Sequence, residues 1–168
     1  LKFKTKNASI FPRISIINYS FPQDSISDVD TKFVINKNKT IFLKNFKIED
    51  KSNKLQIKDL YLDKFYNLIR FKEIKIRTSV DKKTNNEFKI INKDIILIKG
   101  KIFDAKMLIK ELSKDKTKNT FLKNISKDIE IDFDKVLKGA KFPIKNFRLI
   151  GKIKKGSFEK ISAKSDFT

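Results

Sequence analysis

Apolar and polar residues alternate with a period of two along most of this chain, in runs separated by short polar turns. That period belongs to the β-strand, whose successive side chains point to opposite faces, and it signals half-buried antiparallel strands. The clearest run is Asp128-Ile129-Glu130-Ile131-Asp132-Phe133-Asp134, with Ile129, Ile131 and Phe133 on one face and four acids on the other. Phe71 to Val80 places Ile74, Ile76 and Thr78 together. Phe88 and Ile90 follow the turn Asp81-Lys82-Lys83-Thr84-Asn85-Asn86, and Ile96, Ile98, Gly100 and Ile102 alternate in the next run. Leu55 and Ile57 follow a turn at 49–53. Phe147, Leu149, Gly151 and Ile153 lead to Lys154-Lys155-Gly156, beyond which Phe158, Ile161, Ala163 and Phe167 form a last run. Each run lies one turn from the previous one, so the pattern predicts a mainly β fold, a long antiparallel meander.

One segment departs from this period. Ala105, Leu108, Ile109 and Leu112 stand at helical spacing behind Asp104, a residue suited to capping a helix N-terminus. The spacing predicts one short amphipathic helix near 104–113, too short to persist alone, with Leu108 and Leu112 packed on the sheet. Residues 113–126 are polar and Lys-rich and read as an exposed loop. Residues 1–32 are less regular, interrupted by Pro12 and Pro22, with an edge strand expected around Ile14 to Tyr19. Tyr61 to Leu68 reads as either a strand or a helical turn. The chain also echoes itself: Leu43-Lys44-Asn45-Phe46-Lys47-Ile48 matches Ile144-Lys145-Asn146-Phe147-Arg148-Leu149. In both, apolar parity flips across Lys-Asn, which keeps one face apolar only if a bulge or corner inserts a residue there. A repeated supersecondary unit and chance within a Lys/Ile/Asn/Phe-rich chain both account for the match.

Residue choice excludes much chemistry. There is no Cys and no His, hence no disulfide, thiolate site, imidazole base or ordinary zinc site. Four Gly form neither phosphate-binding loop motif. The chain has no initiating Met and reads as one internal segment, 1–168, of a larger repetitive protein. The net charge of +20 suggests an anionic partner, but only Arg13, Arg70, Arg77 and Arg148 are Arg among the 40 basic residues. Nucleic-acid readers favour Arg, and 26 Ile against 4 Val point to codon composition as the main source of the Lys excess. Same-face acids on the 128–134 strand stand about 6.5–7 Å apart, too far to share a cation without other ligands. They read as a solvated outer face pairing with Lys on the next strand.

With 16 Phe, 26 Ile and one short helix, the chain offers little to cover an apolar sheet face. Two solutions follow. One is an ordinary sandwich core, as in a structural or adhesive β-sandwich module. The other is a long sheet that curls into a trough with an apolar lining, in which each buried acyl CH₂ contributes roughly 0.8 kcal/mol. The lining would be Ile74 and Ile76, then Phe88 and Ile90, then Ile96, Ile98 and Ile102, then Ile129, Ile131 and Phe133, then Phe147, Leu149 and Ile153. Interleaved basic and aromatic residues such as Arg70-Phe71-Lys72 give a third reading, a nucleic-acid-binding domain. On a strand, however, Phe71 faces away from both cations.

At Gly100-Lys101-Ile102-Phe103-Asp104-Ala105-Lys106-Met107-Leu108 a strand ends in Phe-Asp-Ala, followed by a short helix, a polar loop and an acidic-apolar strand. This arrangement, together with the strand-Gly-turn-strand unit from Phe147 to Ile161, resembles the AsmA-like family in its YhdP/TamB-type branch, best over about 88–168. The resemblance implies a long curled β-groove protein of the Gram-negative periplasm, anchored to the inner membrane by a segment not present here. Such proteins are associated with phospholipid movement between the two membranes. It implies a non-enzymatic role, no cofactor, and as partners phospholipid acyl chains and adjoining repeats of the same chain. Nucleic acid is not among them.

Overall fold

The computed structural model describes residues 2–5, 27–35, 40–49, 52–65, 68–106, 108–109, 126–139, 142–155 and 157–166. Their strands are β1 (Lys2–Thr5), β2 (Ser27–Ile35), β3 (Ile41–Glu49), β4 (Lys54–Leu62), β5 (Leu68–Arg70), β6 (Glu73–Val80), β7 (Lys83–Asn92), β8 (Ile96–Asp104), β9 (Lys127–Leu137), β10 (Ile144–Lys154) and β11 (Ser157–Asp166). All join one 11-stranded sheet in the order β1-β2-β3-β4-β6-β7-β8-β9-β10-β11, with β5 beside β4. The sheet is open and curved, a meander as its period predicts. Among the described residues no second sheet lies against it. The strand expected around Ile14 to Tyr19, the loop at 113–125 and Leu112 lie outside the described residues.

The register aligns the alternating runs into rows that cross the strands. Phe46 stands opposite Ile57, Ile57 opposite Ile74, Ile74 opposite Ile90 and Ile90 opposite Ile98. The row continues through Ile131 and Leu149 to Ala163. A second row runs Ile48, Leu55, Ile76, Phe88, Gly100, Phe133, Phe147. Cross-strand pairs of β-branched and aromatic residues are the unit of sheet stabilisation, and here they share one face. Ile48, Ile74 and Ile153 on that face are fully buried.

One step of the sheet differs from a simple meander. β8 and β9 pair in parallel, with Ile96 opposite Ile129 and Asp104 opposite Leu137. Parallel neighbours need a crossover of a dozen or more residues, and residues 105–126 supply it. The crossover opens as the helical spacing predicts. Ile109 N–H donates to the Ala105 carbonyl (2.9 Å), and the Asp104 carboxylate accepts from the Lys106 N–H (3.2 Å). Leu108 is half-buried, but Ile109 is exposed, so the stripe does not pack whole.

The parity flips are accommodated as their sequence requires. In β3 the flip at Lys44-Asn45 faces a flip in β4 at Asp59, which holds φ at 50°. In β10 the flip at Lys145-Asn146 faces one in β9 between Phe133 and Val136, and Asn146 holds φ at 49°. The β6–β7 turn is tighter than its sequence suggests. Only Asp81 and Lys82 turn, at φ 50° and 62°, and Val80 pairs with Lys83, so Lys83 to Asn86 belong to the strand. Two consecutive positive φ values define the hairpin turn whose twist matches the strands, and Gly suits its second position. Lys82→Gly is therefore expected to stabilise the chain by about 1 kcal/mol, read as a raised urea midpoint with unchanged slope.

Candidate functional site

The apolar face is densest over β7, β8 and β9. The Phe88 ring meets Phe103 edge-on at 5.4 Å and Phe133 at 5.6 Å, while Phe103 and Phe133 stack at 5.2 Å. Gly100 lies between Phe88 and Phe133 in the row and leaves the room these rings occupy. A Cβ there would overlap the Phe88 Cβ and the Glu87 carbonyl oxygen.

Of the residues expected to line a trough, Ile74, Ile76, Phe88, Ile90, Ile96, Ile129, Phe133 and Ile153 are buried in one continuous core. Ile98, Ile131, Phe147 and Leu149 are half-buried against it. Parity is as expected: Ile131 and Phe133 stand opposite Leu149 and Phe147, with Ile129 opposite Gly151. Ile102 does not join them. A register shift between Glu87 and Phe88 skips Lys101, so Ile102 stands opposite Glu87 and Lys135, on the charged face. Phe103 takes its place. The inserted residue of a bulge reverses every side chain beyond it. The adjacent apolar pair Ile102-Phe103, at the end of an alternating run, was the available signal.

Polar groups bound this apolar floor at both strand ends. At one end the Thr78 hydroxyl donates to Asn85 Oδ1 (2.7 Å) and accepts from Asn86 Nδ2 (3.0 Å). Asn86 Oδ1 accepts from the Asp104 N–H (2.8 Å), and Asn53 Oδ1 accepts from the Ser79 N–H (2.9 Å). Asn53, Thr78 and Asn86 are buried; the alternation places Thr78 on the apolar face with Ile74 and Ile76, but it does not single out the two Asn. At the other end Lys127, on the floor's parity, extends its ammonium to Asn92 Oδ1 (2.7 Å).

The opposite face is charged and paired. Asp132 forms an ion pair with Arg148, and Glu130 with Lys99 at 3.3 Å. These two acids are half-buried for that reason, whereas Asp128 and Asp134 are exposed. Among the described residues no three acids gather as a metal site. Glu73 Oε1 lies 3.1 Å from Lys58 Nζ and 3.6 Å from Lys75 Nζ, meeting them by charge proximity rather than along a hydrogen-bond axis. Burial raises this carboxyl, but Lys58 and then Lys75 outweigh it and hold it below 4.5. A lowered folded-state value contributes stability that is complete above the unfolded value and is lost as pH falls through the folded one. Glu73→Gln is thus expected to flatten the fall in urea midpoint on acidification below 4.5. An unchanged slope against pH would remove Glu73 from the account.

Comparison with protein-family models, curated proteins and solved structures finds no match to this chain.

Proposed function

We propose that this chain is a non-enzymatic segment of an AsmA-like protein of the YhdP/TamB type. Its curved sheet offers an apolar groove along which phospholipid acyl chains pass between the inner and outer membranes of a Gram-negative envelope. The observation that supports this reading is the row from Phe46 to Ala163. It crosses eight strands at right angles to their direction, about 34 Å at roughly 4.8 Å per step, on a single sheet whose central strands β6 to β9 carry polar groups at both ends. Acyl chains would lie along that row, against the half-buried Ile98, Ile131 and Leu149 and beside Phe147 of the second row, while headgroups stay wet beyond the polar margins. No proton transfer or bond cleavage is required; the driving term is burial of CH₂ groups.

The experiment is native mass spectrometry of protein extracted without detergent exchange, joined to ultraviolet crosslinking from a photoreactive residue at Leu149. Co-purifying phospholipid and a lipid adduct at Leu149 are the expected results. Protein free of lipid, with crosslinks only to its own strands, would replace the groove by a structural β-module whose apolar face is simply its core.

A further inference from the structure

The two margins of the floor are unlike. At one, the buried Thr78 and Asn86 are neutral and bonded to each other (3.0 Å). At the other stands a cation, Lys127, which opens β9 on the same face as Ile129 and Ile131 and opposite Ile153. Its ammonium donates to Asn92 Oδ1 (2.7 Å) and to the Lys93 carbonyl, both neutral acceptors. An ammonium carries three N–H donors, so one N–H is left for a further group.

Two more cations adjoin it. Lys93 supplies that carbonyl, and the Lys155 N–H donates to the hydroxyl of Ser126, the residue before Lys127 (3.1 Å). Lys93 and Lys155 are exposed, whereas Lys127 is half-buried. Among the described residues no carboxylate forms an ion pair with any of the three. Glu159 is held by Lys154 at 3.3 Å, and Asp128 stands opposite Lys152 on the charged face. Asp94, exposed in the turn beside Lys93, offsets one of the three charges and leaves the group positive. A half-buried ammonium without a carboxylate partner is stabilised by an anion that meets its remaining N–H. The apolar floor begins beside it, with Ile153 and Ile129 buried. The half-buried Ile131 lies four residues along the same face, about 14 Å. A cation set where an apolar face begins suits an amphiphile with an anionic head.

We infer that Lys127 is the headgroup site of the groove. Its ammonium, with Lys93 and Lys155 beside it, takes the phosphate of a phospholipid of net negative charge whose acyl chain runs onto Ile131. The inference rests on the groove reading and adds to it which headgroup the groove selects. A zwitterionic lipid brings its own ammonium, which these lysines repel.

The test offers the whole chain equal amounts of phosphatidylglycerol and phosphatidylethanolamine with identical acyl chains and reads the bound lipid by native mass spectrometry. Phosphatidylglycerol is expected to be favoured about fivefold or more. Lys127→Gln should hold as much lipid in total but lose the preference, and Lys127→Arg should keep it. Lys89→Gln, which removes an exposed cation of the charged face opposite Lys75 and Lys99, should change nothing. Circular dichroism checks that each variant is folded. Should Lys127→Gln not fold, Lys93→Gln with Lys155→Gln carries the test, and an unchanged preference in that double variant overturns the inference. Lipid bound without preference by the wild type overturns the site and leaves the groove. A preference kept by Lys127→Gln, or lost equally by Lys89→Gln, overturns it too, because overall charge then accounts for the selection. Release of phosphatidylglycerol by inorganic phosphate alone would make Lys127 a site for the free anion and overturn the lipid assignment. No lipid of either kind on the folded wild type removes the groove, and the headgroup site with it.

Discussion

Phe133→Glu is expected to unfold the chain, and Ile98→Glu to leave it folded. Phe133 is 3% exposed, and its row neighbours Gly100 and Phe147 and its ring neighbours Phe88 and Phe103 carry no charge. A carboxylate placed there is buried without a partner, a cost on the order of 5 kcal/mol or more, comparable with the whole stability of an ordinary domain. Ile98 is half-buried, so its Glu can turn its carboxylate toward water for about 1–3 kcal/mol. Far-ultraviolet dichroism and urea unfolding distinguish the two. If Ile98→Glu stays folded, it should also reduce lipid retained by the protein, because it places a charge on the half-buried part of the row, beside Ile131 and Leu149. A Phe133→Glu protein with a wild-type urea midpoint would remove the three-ring cluster from the core.

The second large effect is at Gly100. A side chain there collides with backbone and Cβ atoms of Glu87 and Phe88, which cannot swing away as a flexible tip would. Relief requires β7 and β8 to separate at the centre of the sheet. Gly100→Val is expected to cost about 3 kcal/mol or more. Gly151 has a related constraint, its added Cβ meeting the Lys160 carbonyl oxygen at 2.8 Å. Lys160 lies on β11, which among the described residues has one neighbour, β10, and can yield. Gly151→Val should therefore cost about 1 kcal/mol. Equal urea midpoints for the two variants would contradict the difference between central and edge strands.

The strands and their inward faces were legible because a period of two leaves few alternatives: Ile129, Ile131 and Phe133 can share a face in no other element. The paired flips at Lys44-Asn45 and Lys145-Asn146 were legible for the same reason. What the pattern could not carry was register. The adjacent apolar pair Ile102-Phe103 signals that parity changes somewhere in the run, but only the pairing of β7 with β8 places the bulge at Lys101 and so turns Ile102 away. The parallel β8–β9 step was hidden differently. Its sign, a helical stripe and long polar stretch between two strands, is that of a crossover, yet it reads equally well as an insertion in a hairpin. Asn53 and Asn86 were missed because polar residues near turns usually face water, whereas these, with Thr78, satisfy backbone and side-chain groups at the margin of the floor. Tyr61 to Leu68, ambiguous between strand and helical turn in the sequence, ends β4 at Leu62, turns at Lys64-Phe65 and opens β5 at Leu68, with Tyr66 and Asn67 outside the described residues.

The parallel step also governs how the chain assembles. Among the described strands, β2 through β8 pair with close neighbours in sequence, as do β9 through β11, so each group gathers through short loop closures. The two groups meet along one seam, where Ile96 must find Ile129 across the crossover. Contacts of long sequence separation form only after their closure entropy has been met. That places the kinetic barrier at the β8–β9 seam. Substitutions at Ile98 or Ile131 would then slow folding, while the change at the Asp81-Lys82 hairpin would act on unfolding.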